Sequence, residues 1–328
     1  MHSAAGLRGH SAPRGSSIFR PNHPNPPEPT AAAELGKDHG MKPAPFAWHG
    51  PESVAEAVAV LAEHGDRAKV LAGGQSLVPL LAMRLAAPAH IVDINRLAGL
   101  DTVTATRFGV TVGALARHSR VEHNRAALSV QPLLAQALRL VAHPTIRNRG
   151  TTVGSLAHAD PAGEMTAVLA LCGGTVSAVS VRRGRRVIAA ADFFRGPLES
   201  ALAPDELAIE AFFPALERGA GSAFVEIARR RGDYALCGVG AIVELDAAGD
   251  LGSLRCGYLS VTETPLVIDL TDAWRAGQRE AADQARSMID PQSDLHATAD
   301  YRRHLAGVLT IRAARQAVAA AERGDRAA

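Results

Sequence analysis

Two adjacent glycines, Gly73 and Gly74, place the tightest limit on how this chain folds. They follow a short apolar run that predicts a buried strand, in the stretch LAGGQSL of residues 71–77. A glycine pair lets the main chain turn with positive φ and lets a ligand approach the bare backbone. Successive amides in such a turn bind anions such as phosphate, and Gln75 and Ser76 add side-chain donors. Taken alone, the pair is more typical of a strand–turn–helix corner.

A second loop of similar character lies in residues 143–165, HPTIRNRGTTVGSLAHADPAGEM. Small side chains and backbone donors occur there at Gly150, Thr151, Thr152, Gly154 and Ser155. We expect Asp160 to be the N-cap of the helix that follows. Two such loops, far apart in sequence and each beside a strand, are suited to holding an extended pyrophosphate. The usual signatures G-x-G-x-x-G and G-x-x-x-x-G-K-[ST] are absent, so a dinucleotide site here needs another loop architecture.

Charge and composition exclude some classes of function. The formal net charge of the 328 residues is +2 and only 4% are aromatic, which gives no electrostatic or stacking basis for a nucleic-acid partner. Hydrophobic residues make up 47% of the chain, which is ample for a packed core. They form no run of eighteen, so no transmembrane segment is predicted.

The three cysteines, Cys172, Cys237 and Cys256, lack the spacing of any cluster or zinc motif. We therefore predict no disulfide framework and no metal or iron–sulfur centre held by this chain alone, and a reducing cytoplasm as its location. A metal set made of His143, His158 and Asp160 also fits no zinc spacing. Residue types alone thus leave no metal ligands to assign.

The chain divides by composition into three parts. Residues 1–40 are rich in Pro, Ser and Ala without apolar periodicity, which predicts a disordered N-terminal extension. Met41 is a candidate for the true start, because ordered patterning begins directly after it. A break in the pattern near residues 213–224 predicts a boundary between a domain at 41–217 and a second domain at 220–328.

Helices and strands are mixed from Met41 onward. Ser53 and Glu56 have capping-box spacing at the start of a helix that Gly65 ends, and another helix is expected from Pro132 to just before Pro144. Short buried strands are predicted at KVLAGG and HIVDI. Hairpins are predicted at TVTATRFGVTVGA, VSVRRGRRVIAA and VGAIVELDAAGDLGSLRCGYLSV. Residues 301–322 have the apolar spacing of an amphipathic helix.

With these motifs in this order, the chain resembles the FAD-binding medium subunits of molybdenum hydroxylases. That family includes the flavoprotein subunit of carbon monoxide dehydrogenase and the flavin domain of xanthine dehydrogenase. Its first loop, A-G-G-[HQN]-S, corresponds to Ala72–Ser76, and its second, T-[hydrophobic]-G-G-[NS], to Thr151–Ser155. RRGDYALCGVGA, residues 230–241, resembles the start of the family's C-terminal domain, and ADYRRHLAGVL, residues 299–309, its closing helix.

The resemblance implies a fold and a site. The fold is α+β, with a two-subdomain FAD-binding domain of the PCMH or vanillyl-alcohol-oxidase type, followed by a small C-terminal domain of antiparallel sheet plus helices. FAD is bound without a covalent bond, and no residue of this chain need act as an acid or base on the organic substrate. The implied cofactor-binding residues are Ala72, Gly73, Gly74, Gln75, Ser76, Leu77, Thr151, Thr152, Val153, Gly154, Ser155, Asp160 and Tyr234.

One position departs from the family pattern. Val153 stands where the family has the first glycine of the second loop. If that position needs positive φ or close approach of the pyrophosphate, a β-branched residue weakens FAD binding or shifts the loop by one residue. Ser76 and Asp160 also have a simpler role as helix caps, and Tyr234 as a packing residue.

The resemblance also implies partners. Electrons reach the flavin from a [2Fe–2S] small subunit after a molybdenum-cofactor large subunit has oxidised the substrate, in a dimer of heterotrimers. The flavin then passes them to an external acceptor. Two alternatives remain open from the sequence: a self-sufficient flavin oxidoreductase, and a flavin-free subunit that only scaffolds a complex.

Overall fold

A computed structural model describes residues 42–324 of the chain. The predicted disordered extension, residues 1–40, lies outside the described residues, as do residues 325–328. The described part mixes helices and sheets throughout, which confirms the predicted α+β class. No helix within it is long and apolar enough to cross a membrane.

The first part is a small parallel sheet with the order β1-β3-β2. Its elements are β1 (Ala47–His49), α1 (Val54–His64), β2 (Ala68–Leu71), α2 (Leu77–Ala82) and β3 (His90–Asp93). Ser53 caps α1 by accepting a hydrogen bond from the Glu56 amide, and Gly65 follows its last residue with φ 52°. Both predicted strands and both ends of the predicted helix are confirmed.

The second part is a five-stranded sheet with the order β4-β5-β10-β6-β7 and a group of short helices beside it. The hairpin of β4 (Val103–Thr106) and β5 (Gly109–Gly113) comes first. The helices are α3 (His118–Glu122), α4 (Arg125–Val130), α5 (Leu133–Leu138), α6 (Pro144–Arg147), α7 (Thr152–His158) and α8 (Glu164–Cys172). The remaining elements are β6 (Thr175–Ser180), β7 (Gly184–Ala189), α9 (Ala190–Phe193), β8 (Phe194–Gly196), β9 (Glu199–Ser200) and β10 (Leu207–Pro214).

The helix that starts at Pro132 ends earlier than the sequence predicts. It stops at Leu138, and the chain leaves the helical conformation fully at Ala142, where φ is 42°. The Arg147 guanidinium donates to the carbonyls of Val141 and Ala142, at 3.0 and 3.2 Å. These side-chain bonds satisfy two carbonyls of the segment between the helix and Pro144.

The third part is an antiparallel sheet in sequential order, covered on both faces. Its strands are β11 (Ala220–Ala228), β12 (Ala235–Leu245), β13 (Leu251–Leu259) and β14 (Leu266–Asp269). The helices α10 (Thr271–Ala276), α11 (Gln278–Ser287) and α12 (Ala299–Glu322) follow. One face packs against α12, and the other packs against α5 and α8 of the preceding part. The predicted hairpin and the long closing helix are confirmed.

Close backbone contact fixes α12 on this sheet. A Cβ added at Gly221 of β11 would overlap the main chain of α12 at Ala317 and Ala321. Near the start of α12, the buried Arg302 donates to the carbonyls of Leu236 and Ser260, at 2.6 and 3.0 Å. The helix is therefore held by glycine contact near its end and by buried hydrogen bonds near its start.

We expect Gly221→Ala to destabilise the protein strongly, because the new methyl group meets helix backbone that cannot move alone. The loss should be about 3 kcal/mol or more in the free energy of unfolding, measured by urea denaturation. Gly196→Ala is the matched control, since the nearest atom to a Cβ there is Glu199 Oε2 at 3.7 Å. Equal midpoints for the two variants would contradict this account of the packing.

Candidate functional site

The two glycine-containing loops, 73–77 and 149–155, meet in the structure. The Cα of Gly73 lies against the Arg149 carbonyl, and a Cβ there would be 2.8 Å from the Cα of Gly150. Only a residue without a side chain permits this approach. The sequence prediction that two distant loops share one site is consistent with this contact, and the need for glycine at position 73 has a steric reason.

The first loop presents a row of free amides. Among the described residues, the N–H groups of Gly73, Gly74, Gln75 and Ser76 have no hydrogen-bond acceptor. Gly74 has φ 73°, which turns successive amides towards one side. The Gln75 side chain donates to the Gly73 carbonyl at 3.0 Å and so stabilises the turn instead of pointing away as an independent donor. This arrangement is suited to an anion such as a pyrophosphate.

Asn95 and Arg117, which were not predicted from the sequence, form a polar bridge between the two loops. Asn95 donates to the Ala72 carbonyl at 2.9 Å and accepts from Arg117 at 2.8 Å. Arg117 in turn donates to the Arg149 carbonyl at 2.6 Å, so one guanidinium connects both loops. Asn95 lies just beyond the carboxyl end of β3, where ligands of α/β sheets commonly bind, and that placement was the available signal.

Electrostatics around Arg117 are set by its neighbours. Burial and the adjacent Arg149 lower the pKa of Arg117, whereas Asp93 raises it. A guanidinium nevertheless stays protonated at physiological pH, so the bridge carries a positive charge beside the loops. A cavity of about 390 Å³ opens next to it and is lined by Asn95, Leu97, Ala98, Gly99, Asp101, Leu115, Arg117 and Arg120.

The second loop forms the start of α7. Thr151 is its N-cap, and its hydroxyl accepts from the Gly154 amide at 3.2 Å. The Thr152 hydroxyl lies 3.3 Å from Nδ1 of the buried His118. Both threonine hydroxyls therefore have partners within the protein, and the half-buried Gly154 and Ser155 are the accessible part of this loop.

Val153 does not occupy a position that needs glycine. It lies in the first turn of α7 without positive φ, and its side chain is 2% exposed within the main hydrophobic core. The condition of positive φ, under which a β-branched residue would strain this loop, is therefore not met: the backbone here is ordinary helix, and the valine faces the core.

Two of the predicted caps behave differently. Ser76 precedes α2 but its side chain makes no capping bond. The prediction that Asp160 is the N-cap of the next helix is wrong, because that helix begins at Glu164 with Gly163 as its N-cap. Asp160 instead accepts from the Ala162 amide at 2.8 Å, the two-residue turn typical of an aspartate before a bend. The half-buried Leu77 begins α2.

Tyr234 is 69% exposed and lies close to acidic groups. Desolvation raises its pKa, and the charges of Asp160 and Glu164 raise it further. Its loop also contacts the segment that precedes α6, because Gly232 faces the ring of His143. The structure thus brings Tyr234 close to Asp160, and its loop close to His143.

Two carboxyl groups, the buried Glu164 and the half-buried Glu226, lie at the seam between α8 and β11. Burial, followed by the charge of Glu226, raises the pKa of Glu164 to about 8. Burial raises the pKa of Glu226 to about 7. At neutral pH Glu164 therefore keeps its proton, and no cationic side chain in the described part of the chain forms an ion pair with either carboxyl group.

The residues present fit an FAD group by their chemistry. The free amides of the first loop, the close Gly73–Gly150 contact and the positive Arg117 together offer donors and charge for a pyrophosphate. The exposed Tyr234 is available to an aromatic ring.

Comparisons with known proteins identify two family domains in the chain. Residues 44–216 match the family model of the FAD-binding domain in molybdopterin dehydrogenase, and residues 222–317 match that of the CO dehydrogenase flavoprotein C-terminal domain. The chain is 38% identical over 280 residues to the caffeine dehydrogenase subunit beta of Pseudomonas sp. (strain CBB1), covering 83% of this chain and 95% of that one.

A second relative and a solved structure are similar to the chain over most of its length. The chain is 34% identical to the carbon monoxide dehydrogenase medium chain of Hydrogenophaga pseudoflava, covering 83% of this chain and 97% of that one. Among solved structures, a chain of quinoline 2-oxidoreductase from Pseudomonas putida 86 superposes with a TM-score of 0.81 at 34% identity. That match covers 86% of this chain and 99% of the other.

We expect Val153→Gly to destabilise the protein without tightening FAD binding. The change removes a buried side chain and places glycine in a helix, which should cost about 2–4 kcal/mol of unfolding free energy. Urea denaturation and flavin titration of both proteins measure the two effects. Tighter FAD binding by the glycine variant would show instead that valine obstructs the loop.

Folding stability should fall as pH rises from about 4.5 towards 8. The unfolded chain releases the Glu164 proton near its ordinary pKa of 4.5, whereas the folded chain keeps it until about 8. Glu164→Gln has no proton to lose, so its advantage over the wild type should grow with pH to the order of 3 kcal/mol. Urea denaturation at about pH 5 and about pH 8.5 tests this, and a pH-independent difference would contradict it.

Proposed function

The chain belongs to the family of FAD-binding subunits of molybdopterin dehydrogenases, and on that basis we propose that it transfers electrons within a molybdenum hydroxylase complex. As a member it is an FAD-dependent oxidoreductase subunit, of the kind called the medium chain in carbon monoxide dehydrogenase. In the finer proposal, a partner [2Fe–2S] subunit reduces the flavin and an external acceptor reoxidises it. The observation that carries this proposal is the paired loops with their free amides.

The residues proposed to hold FAD are those of the two loops and their neighbours. The amides of Gly73, Gly74, Gln75 and Ser76 would bind the pyrophosphate, next to Ala72 and Leu77. The second loop contributes from Thr151 to Ser155, with Val153 as a packing residue. Asp160 and Tyr234 would lie at the ring. FAD itself supplies two-electron and one-electron redox chemistry, and the protein positions it and tunes it.

The cysteines support a partner as the source of electrons. Among the described residues, none of Cys172, Cys237 and Cys256 belongs to a group of three or more ligand-capable side chains close enough to share a metal centre. An iron–sulfur centre is therefore proposed in another chain. The molybdenum cofactor is proposed in a third, and the dimer of heterotrimers and the cytoplasmic location stay predictions.

The names of the relatives fit a role in electron handling. Relatives of similar identity are named for caffeine and for carbon monoxide, two substrates with nothing chemically in common. A shared chain serves both if it handles electrons and another chain recognises the substrate. We also propose that the chain is divided into two domains, at residues 41–217 and 220–328.

No observation favours either alternative, the flavin-free scaffold or the self-sufficient oxidoreductase. The flavin-free scaffold depended on Val153 as a damaged loop position, and the helical, buried Val153 removes that ground. A self-sufficient oxidoreductase needs its own substrate site, and no observation points to one.

A direct test is reduction of the purified, FAD-loaded chain by the complex's substrate. We expect no bleaching without partner subunits and bleaching in the assembled complex; bleaching of the isolated chain would overturn the proposal.

Gly73→Ala should lower the affinity for FAD by more than about tenfold, which corresponds to about 1.4 kcal/mol. The new methyl group would push the first loop away from Arg149 and Gly150. Fluorescence titration of flavin-free protein with FAD measures the change. Gly196→Ala, where a Cβ meets only ordinary contacts, should bind as the wild type does. Equal affinities for all three proteins would show that the loops do not bind FAD together.

A further inference from the structure

Three histidines far apart in sequence lie together at one corner of the small parallel sheet. His49 is the last residue of β1, His64 the last of α1 and His90 the first of β3. In the parallel pairing of β1 with β3, Ala47 is opposite His90. Residues two apart on a strand share a face, so His49 projects to the same side as His90. We call these three residues the histidine cluster.

The distances within the cluster are short. Nε2 of His49 lies 3.0 Å from Nδ1 of His90. The His64 and His90 rings are stacked, with centroids 3.6 Å apart and planes within 5°. One nitrogen from each of the three rings lies within 4.8 Å of the other two, and this is the one such group of three or more among the described residues.

Hydrogen bonding does not explain the whole cluster. His49 and His90 satisfy each other, but Nδ1 of His64 is buried and has no hydrogen-bond partner among the described residues. A buried polar atom left without a partner costs free energy that the fold must recover elsewhere. His64 therefore has a ring nitrogen without a partner beside two other imidazole rings. A metal ion bound by the three rings would give that nitrogen a partner.

From this geometry we propose that His49, His64 and His90 bind one divalent transition-metal ion of the zinc class. Imidazole nitrogens suit Zn²⁺, Cu²⁺ and Ni²⁺, whereas Ca²⁺ and Mg²⁺ require oxygen ligands. All three rings are half-buried, so water reaches the ion and completes its coordination. The parallel His64 and His90 rings need only turn about their last side-chain torsion, which is soft, to converge on it.

The charged side chains near the histidine cluster are compatible with a bound cation. The Glu63 carboxylate lies 3.8 Å from Nε2 of His64, where it offsets the positive charge of an ion. Arg67 is close enough to act on His90 electrostatically, and Glu63 opposes it. The protein therefore adds no net positive charge around the three rings from these two residues.

The position of the cluster indicates a structural role for the ion. It would join β1, α1 and β3, whose strands have only three or four residues. An ion that binds the folded chain and not the unfolded one raises stability in proportion to its occupancy. The opposite end of β2 leads to the Gly73–Gly74 loop, so the ion is separate from the FAD site and independent of the proposed function.

Zinc binding to the full-length chain tests the proposal. After chelation and desalting, equilibrium dialysis against about 1 µM free Zn²⁺ should give the wild type one more tightly bound ion than His49→Gln, His64→Gln or His90→Gln. Each of these variants should lose at least about tenfold in affinity at this site. His304→Gln is the matched control, because His304 is exposed on α12, and it should bind zinc as the wild type does. The four histidines before residue 41 are present in every variant and cancel in the difference.

Zinc should also raise the thermal midpoint of the wild type and of His304→Gln, and should leave that of the three cluster variants unchanged. If a cluster variant does not fold, anomalous diffraction at the zinc edge from zinc-soaked wild-type crystals decides the question. A peak about 2.1 Å from one nitrogen of each ring supports the site. Equal zinc stoichiometry in the wild type and the variants, or a peak elsewhere with none at the cluster, overturns it.

Discussion

The contact between the Gly73 backbone and the Arg149–Gly150 backbone is the constraint on which the functional region depends. It brings together the loop that follows β2 and the loop between α6 and α7, and the amides of the first loop have no acceptor among the described residues. Arg117 and Asn95 secure the contact through the carbonyls of Arg149 and Ala72. Because main-chain atoms form the meeting surface, its shape is insensitive to most side-chain changes and sensitive to any added Cβ at position 73.

The rest of the fold serves to hold these loops still. Helix α7 begins directly after the contact and buries Val153 in the core, so the second loop has one end embedded in packed side chains. Helix α8 packs against the C-terminal sheet and, through the seam at Glu164, lies near Tyr234. The C-terminal part thus lies next to the region of the two loops. A buried, protonated carboxyl at that seam couples the packing of the two parts to pH.

Much of the fold was predictable because its signals are local. The Ser53 cap, the three hairpins and the long closing helix follow from patterns within a few residues, and all were confirmed. Two local predictions were wrong. The helix from Pro132 ends at Leu138, and the chain takes a positive φ at Ala142 before it reaches Pro144. Asp160 was misassigned because its carboxylate forms a local turn instead of a cap.

The sequence by itself determined the family, the glycine loops and the order of most elements, because each rests on a short motif or a regular period. Only the tertiary structure decided that Val153 is a core residue, that Arg117 and Asn95 bridge the loops, and that His49, His64 and His90 lie side by side. These relations join residues separated by fifteen to eighty positions, and no local propensity encodes a contact between distant segments. It emerges from the pairing of strands and the packing of helices on them.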